Sequence, residues 1–423
     1  MFHIKFRAGA LQYTIFIAVV IALLIFAFIS LSYTQRSFKE RSNHYLETIR
    51  NTDLAINYIA KSQIDYEKPV QLSFSTHLND KTAVEKKNWG IFDLAIASST
   101  IKFETFVKKA LIGGFLEDRP NLYLKDNNQP LVVVGDARIE GSVYLPKQAV
   151  KRGTIAGNAY TGSELIYGTV NYSNNRIPLL ENREMLERIC NRRLQFSNMK
   201  PLELQDDIIL TNSFGEPIQF FSTEMSLDLK GIKLIGNIIV HSGAKIRIYP
   251  SANLTDVILI APEIEILNNV EGTFQAFATD KIVMGKNCRL KYPSALVVYE
   301  KNKRSDSVNM ANNEQIEQIE IHSDSEVRGI VCFLSNNEQN NYKAQVFIDK
   351  NASVLGEVYC DKNVELKGDV IGSIFTNGFI ANEYGSVYQN HIYNGRILSS
   401  NFPLEYCGMR IENSTNSIVK WVY

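Results

Sequence analysis

The sequence predicts a mainly β protein, a parallel β-solenoid (β-helix) preceded by one N-terminal transmembrane α-helix. Three observations predict it. An uncharged, almost wholly apolar run, LQYTIFIAVVIALLIFAFISLSY, extends from Leu11 to Tyr33. Further on, short Ile- and Val-rich segments recur between turn formers, most plainly over Asp349–Gly372, where DKNASVLGEVYC is followed by DKNVELKGDVIG. Hairpin dipeptides such as Asn-Gly and Asp-Gly are missing between these segments and occur only near the end, at Asn377-Gly378 and Asn394-Gly395.

Residues 1–10 form a short basic leader and residues 11–33 the membrane span. At about 1.5 Å per residue the run covers about 34 Å, enough to cross a hydrocarbon core of about 30 Å. Tyr13 and Tyr33 lie near its ends, where amphipathic rings favour the headgroup level. The rival reading is a cleaved secretory signal with FHIKFR as its basic region and a cut after Ala27 or Ser30, but such signals carry only about 7–15 apolar residues. An anchor accounts better for the length. Lys5 and Arg7 before the span are outnumbered by Arg36, Lys39, Arg41 and Arg50 after it, which by charge alone would leave the bulk in the cytoplasm. A short basic tail followed by one span is instead the plan of a signal anchor, and long domains are exported despite their charge. The reading adopted is a single-pass inner-membrane protein with its C-terminal domain periplasmic or extracellular. Residues 34–66 lack Pro and Gly until Pro69, and Tyr45, Ile49, Ile56 and Ile59/Ala60 recur at helical spacing, so the helix continues as a stalk with one apolar stripe. A coiled coil would need more heptads.

The leader FRAGALQ, followed by an apolar helix that runs on into an amphipathic one, resembles the N-terminal region of type IV pilin-like and pseudopilin proteins over residues 1–60. That resemblance implies cleavage after Gly9, a mature start at Ala10, and envelope or pilus-like assembly proteins as partners. The fifth residue after Gly9 is Thr14, where most members of that family carry Glu.

Residues 67–226 read as a β-rich neck. VQLSFSTH and WGIFDLAIASSTIKFETF alternate as half-buried strands do, and QPLVVVGDARIEGSVYLP carries an aliphatic-x-Gly-x-Val phrase around Gly141. One helix is expected near 179–194, with Leu179, Leu180, Met185, Leu186, Ile189 and Cys190 on its apolar face. Arg188, Arg192 and Arg193 belong to its solvated face.

Residues 227–400 are the expected solenoid. The phrase returns around Gly236, Gly329, Gly356 and Gly368. Aliphatic residues two apart face one side of a strand and fill an interior, while glycine serves a crowded corner or a positive φ and Asn or Asp tolerates left-handed turns. A coil cannot bury its apolar face alone and stacks on the next. On this reading the twelve-residue step covers two sides of about six residues, and a three-sided coil needs about 18. An antiparallel sandwich is the competing architecture. Two polar inserts, 300–318 and 335–345, have the composition of connectors, and residues 401–423 cap the last coil. The phrase also resembles those of bactofilins and of stacked-strand modules on bacterial surface proteins, which implies a polymeric or surface-exposed β-helix.

Lys and Arg total 45, as do Asp and Glu; with no excess of either sign there is no footprint for nucleic acid. Cys190, Cys288, Cys332, Cys360 and Cys407 lack CxxC spacing and read as small buried residues. No metal, cofactor or catalytic motif is expected: the six histidines are scattered, and Asp361, Glu365 and Asp369 read as solvated corners. The functional expectation is a membrane-anchored structural or adhesive protein of the bacterial cell envelope, bound to the lipid bilayer through residues 11–33. The alternatives are an anchored glycan-binding or glycan-cleaving β-helix protein and a membrane-tethered bactofilin-like polymer.

Overall fold

The computed structural model describes residues 8–62, 64–74, 80–191, 204, 207–300, 318–337, 342–400 and 402–422. The basic residues Lys5 and Arg7, the interior of the 300–318 insert, part of the second insert, and Arg192 and Arg193 lie outside the described residues. The protein is mainly β with one long apolar N-terminal helix, and it divides into two units, residues 1–86 with 96–108 and residues 87–95 with 109–423.

The first unit is built on helix α1, Ala8–Lys61, continuous over 54 residues. Pro and Gly are absent from Ala10 to Lys61, so nothing interrupts its hydrogen-bond ladder. Every residue from Leu11 to Tyr33 is exposed, an apolar surface far larger than a soluble monomer leaves uncovered. From Thr48 onward one stripe becomes buried: Thr48, Asn51, Thr52, Ala55, Ile56, Ile59 and Ala60. The expected stripe is thus displaced, because Tyr45 is 41% exposed and small polar residues take the first inward positions. Three strands follow, β1 (Val70–Leu72), β2 (Asp80–Trp89) and β3 (Phe92–Ile101), and then β4 (Glu104–Phe115). Within this unit β1 pairs antiparallel with β2, Val70 opposite Val84. The helix meets β4 through Arg41–Glu104 at 2.9 Å, the Lys108–Asp53 pair and an edge-on contact of Tyr45 with Phe106.

Most strands of the second unit pair parallel as an array, with antiparallel exceptions such as Asp369–Glu383 against Ser386–Gln389. Val346 pairs with Val364, Glu263 with Lys281 and Glu271 with Arg289, each a step of 18 residues. Three rows of aliphatic and aromatic side chains run through its interior. One is Ile264, Ile282, Ile319, Val346, Val364 and Phe379. A second is Leu290, Val327, Val354, Val370, Ile397 and Ile139. The third is Leu296, Val331, Val358, Ile374, Leu122 and Val143. All are at most 1% exposed, and each contributes about 1.5–3 kcal/mol of burial. Leu122–Leu124 and Arg138–Leu145, which precede the repeats in sequence, extend the array beyond Asp369–Glu383 by pairing with Ile374–Thr376 and with Arg396 and Ile397. The chain enters and leaves this array through neighbours, since Thr415–Val422 pairs antiparallel with β4.

Register explains the glycines. Ser294, Gly329, Gly356 and Gly372 lie opposite one another on successive strands. A Cβ on Gly356 would sit 1.9 Å from the Gly329 carbonyl oxygen, at φ +151°. Gly356 is therefore equivalent to Gly372 and not to Gly368, which lies in the bend between the strands Ser353–Leu366 and Asp369–Glu383, where a Cβ would meet the Ala352 carbonyl oxygen at 2.2 Å. The two DKN triplets also differ. Asn351 adopts φ +61° at a turn, whereas Asn363 is buried within the strand Ser353–Leu366. Gly236 (φ +96°) lies opposite Asn212 and Gly141 (φ +85°) opposite Gly168.

Gly356→Ala is expected to cost about 3 kcal/mol or more. Gly385→Ala, at φ +76° with nothing within 4 Å of the added carbon, is expected to cost about 1 kcal/mol through backbone strain alone. Denaturant unfolding of both variants checks the contrast, and equal losses would refute it.

Candidate binding cleft

Gly9 is an exposed residue of the first turn of α1 and Ala10 follows it in the same helix. Asp361, Glu365 and Asp369 are each engaged separately. Asp369 receives Arg396 through both carboxylate oxygens. Glu365, 3% exposed at its side chain, shares Lys367 with Glu383 at 3.1 and 2.9 Å. Burial pushes the Glu365 carboxyl above its ordinary range, and Lys367 offsets this only in part. Asp361 alone reaches a cleft.

The cleft, about 610 Å³, is lined by residues of the segments Ser335–Asn337, Asp361–Asn363, Asn377–Ile380 and Lys125–Gln129, and is flanked by Arg176–Arg183. Its volume falls in the range of small-molecule sites, roughly 300–1,000 Å³. At one end Arg183, the first residue of α2 (Arg183–Cys190), reaches Asp361 at 2.7 Å and the Ser335 carbonyl at 2.8 Å. The helix is held there by burial of Leu186, Ile189 and Cys190 against the strands Asn253–Ile266, Glu271–Met284 and Arg289–Glu300. Ser335 donates its N–H to Asp361 at 2.9 Å and its hydroxyl to Glu300 at 2.6 Å, and Glu300 in turn pairs with Lys362 at 3.1 Å. Burial works against the Arg183 charge, but the hydrogen bond and charge of Asp361 outweigh it and raise the guanidinium pKa.

Tyr359 lines the cleft beside this end. Behind it Phe375, Tyr123 and Tyr144 continue on successive strands, with ring centroids 6.3, 6.4 and 5.4 Å apart, outside the cleft lining. The Tyr359 hydroxyl donates to the Pro178 carbonyl at 3.1 Å, and burial, then the Asp361 charge, hold its pKa well above the usual phenol value. Carboxamides line much of the rest, among them Asn127, Gln129, Asn377, Gln389 and Asn390, together with Ile177, Leu179, Phe379 and Ile380. The turn-like run Asp126-Asn127-Asn128-Gln129 and the pair Gln389-Asn390 carry this signal in sequence. It has no period and so did not single them out. Amide groups of this kind can orient a ligand by hydrogen bonding, and Asp361, the one acid lining the cleft among the described residues, is paired with Arg183.

The outer face of the same strands is closed by buried charges. Glu357, wholly buried, pairs with Arg119 and accepts the Met409 N–H at 2.6 Å. Arg119 also donates to the Tyr406 carbonyl at 3.1 Å and lies 5.0 Å from the Tyr406 ring. Arg410 grips Asp93 at 2.6 and 3.2 Å. All five cysteines are buried and unbridged, and no group of three metal-ligating side chains occurs among the described residues.

No protein-family model matches the chain. No curated protein matches it. A solved structure, the competence-associated pilin ComZ from Thermus thermophilus, aligns over 93% of this chain and 96% of that one at 10% identity, with a TM-score of 0.21. At that score the likeness carries no shared fold. The bactofilin resemblance has no support in these comparisons.

Glu357→Ala, which strands the Arg119 charge in the interior, is expected to destabilise the protein by about 3–5 kcal/mol, measured by denaturant unfolding; a loss below 1 kcal/mol would contradict the assignment. Glu365→Gln tests the raised carboxyl. A carboxyl whose pKa is raised in the folded state contributes most below the ordinary glutamate range and loses that contribution as pH rises through its folded pKa. The glutamine variant should therefore gain on the wild type as pH rises from 4 to 8, and parallel melting curves across that range would count against it.

Proposed function

We propose that this chain is a single-pass, membrane-anchored component of a bacterial cell envelope, pilin-like in plan, whose β-rich unit is a parallel β-solenoid serving as a structural or adhesive surface. One observation carries the anchor: α1 leaves every residue from Leu11 to Tyr33 exposed and continues unbroken into a stretch with a buried stripe. A helix of this length and composition spans a bilayer. The basic leader and Gly9 support the pilin-like plan, with processing between Gly9 and Ala10 and with assembly proteins as partners. The solenoid reading is supported by the recurring step of 18 residues and by the three interior rows. On this reading Gly141, Gly236, Gly329 and Gly356 are side glycines and Gly368 a corner glycine. Its outer surface is laced with ion pairs, including Arg247–Asp228 and Lys245–Glu265 at 2.7 and 2.8 Å, which keep a long array soluble. The protein resides in the inner membrane with the β unit on its outer side.

Fractionation and protease accessibility test this together. The full chain should resist carbonate extraction, its C-terminal unit should be digested in spheroplasts, and N-terminal sequencing should begin at Ala10. Extraction by carbonate would refute the anchor. Protection in intact spheroplasts would instead favour a cytoplasmic polymer.

A further inference from the structure

The cleft holds polar groups that the fold does not use. Asn127 and Asn377 each donate one amide N–H, to the backbone carbonyls of Asn377 and Asp361, and their side-chain oxygens accept no hydrogen bond among the described residues. Gln129 and Gln389 are exposed, and their side chains make no hydrogen bond among the described residues. The cations differ in the same way. Arg183, Lys362 and Arg176 are paired with Asp361, Glu300 and Glu412, whereas Lys125 has no ion-pair partner among the described residues. At the rim Tyr342 is 63% exposed.

These features select a ligand class. Free amide donors and acceptors match a molecule rich in hydroxyl groups. An exposed tyrosine ring offers a flat apolar face. A single uncompensated ammonium suits one carboxylate and falls short of a polyphosphate, whose recognition calls for a cluster of unpaired cations. We infer that the cleft binds a saccharide carrying a carboxylate, a uronic-acid glycan: Lys125 takes the carboxylate, Asn127, Gln129, Asn377 and Gln389 the hydroxyls, and Tyr342 stacks on the ring. The inference rests on the reading of the β unit as an adhesive surface and names what that surface holds.

The test is calorimetry on the full chain in detergent, titrated with a galacturonate tetrasaccharide and with its methyl ester, which has the same sugar without the charge. The acid should bind about tenfold more tightly than the ester. Lys125→Gln should abolish that difference by weakening the acid alone, and Tyr342→Ala should weaken both ligands alike. Neither side chain supports the fold, so both variants should melt at the wild-type temperature. Absence of binding by either sugar at millimolar concentration would overturn the inference. So would equal affinity for acid and ester, or binding that neither substitution changes. Binding in detergent does not depend on anchoring, so failure here would leave the fractionation result standing, and the reverse also holds.

Discussion

Beside the α-carbon of Gly356 there is no room for a side chain, because the carbonyl oxygen of the strand below already fills that place. The same close approach recurs at Gly329 and Gly372. Backbones this near can align in only one register, and a slip by one residue would turn every aliphatic side chain outward. Val327, Val354 and Val370, two residues before those glycines, therefore fall in one line. The interior depends on that alignment, and Asn351, with its positive φ, turns the chain just before the strand that carries Val354.

Outside the aliphatic rows, one wall is dry on both faces, and its outer side is specified by polar matches. Glu357 can be buried only where Arg119 and the Met409 amide meet it, and Asp93 only against Arg410. Gln275 likewise bonds the Ile91 amide and the Trp89 carbonyl. Apolar contact alone would let the covering segments slide. A buried charge tolerates no such freedom, so these few pairs determine which residues lie over the wall.

Much of this was legible in sequence where the cause is local. The apolar run Leu11–Tyr33 and the alternation in DVILIAPEIEIL show in any short window. The twelve-residue echo over Asp349–Gly372 was harder to interpret, because identical DKN triplets occupy a left-handed turn at one site and an extended strand at the other. In α1 the buried stripe opens with Thr48, Asn51 and Thr52, residues whose polarity hides their inward position. Nothing near Leu122 announces that Ile374 will lie beside it, and Glu357 does not reveal Arg119. The cleft was hidden for the same reason. Its amides come from turns far apart in the chain, and each by itself has the composition of a loop.

The array does not follow chain order: Leu122–Leu124 and Arg138–Leu145 rest on strands that begin at Asp369 and Arg396. Translation therefore delivers the last layer first. At about 5–20 residues per second, these early strands leave the ribosome some 12–50 s before their seats exist. Until then their edges toward Ile374 and Ile397 stay open while their other edges pair among themselves and with Tyr167–Tyr172, so the array can close only when the chain is nearly complete.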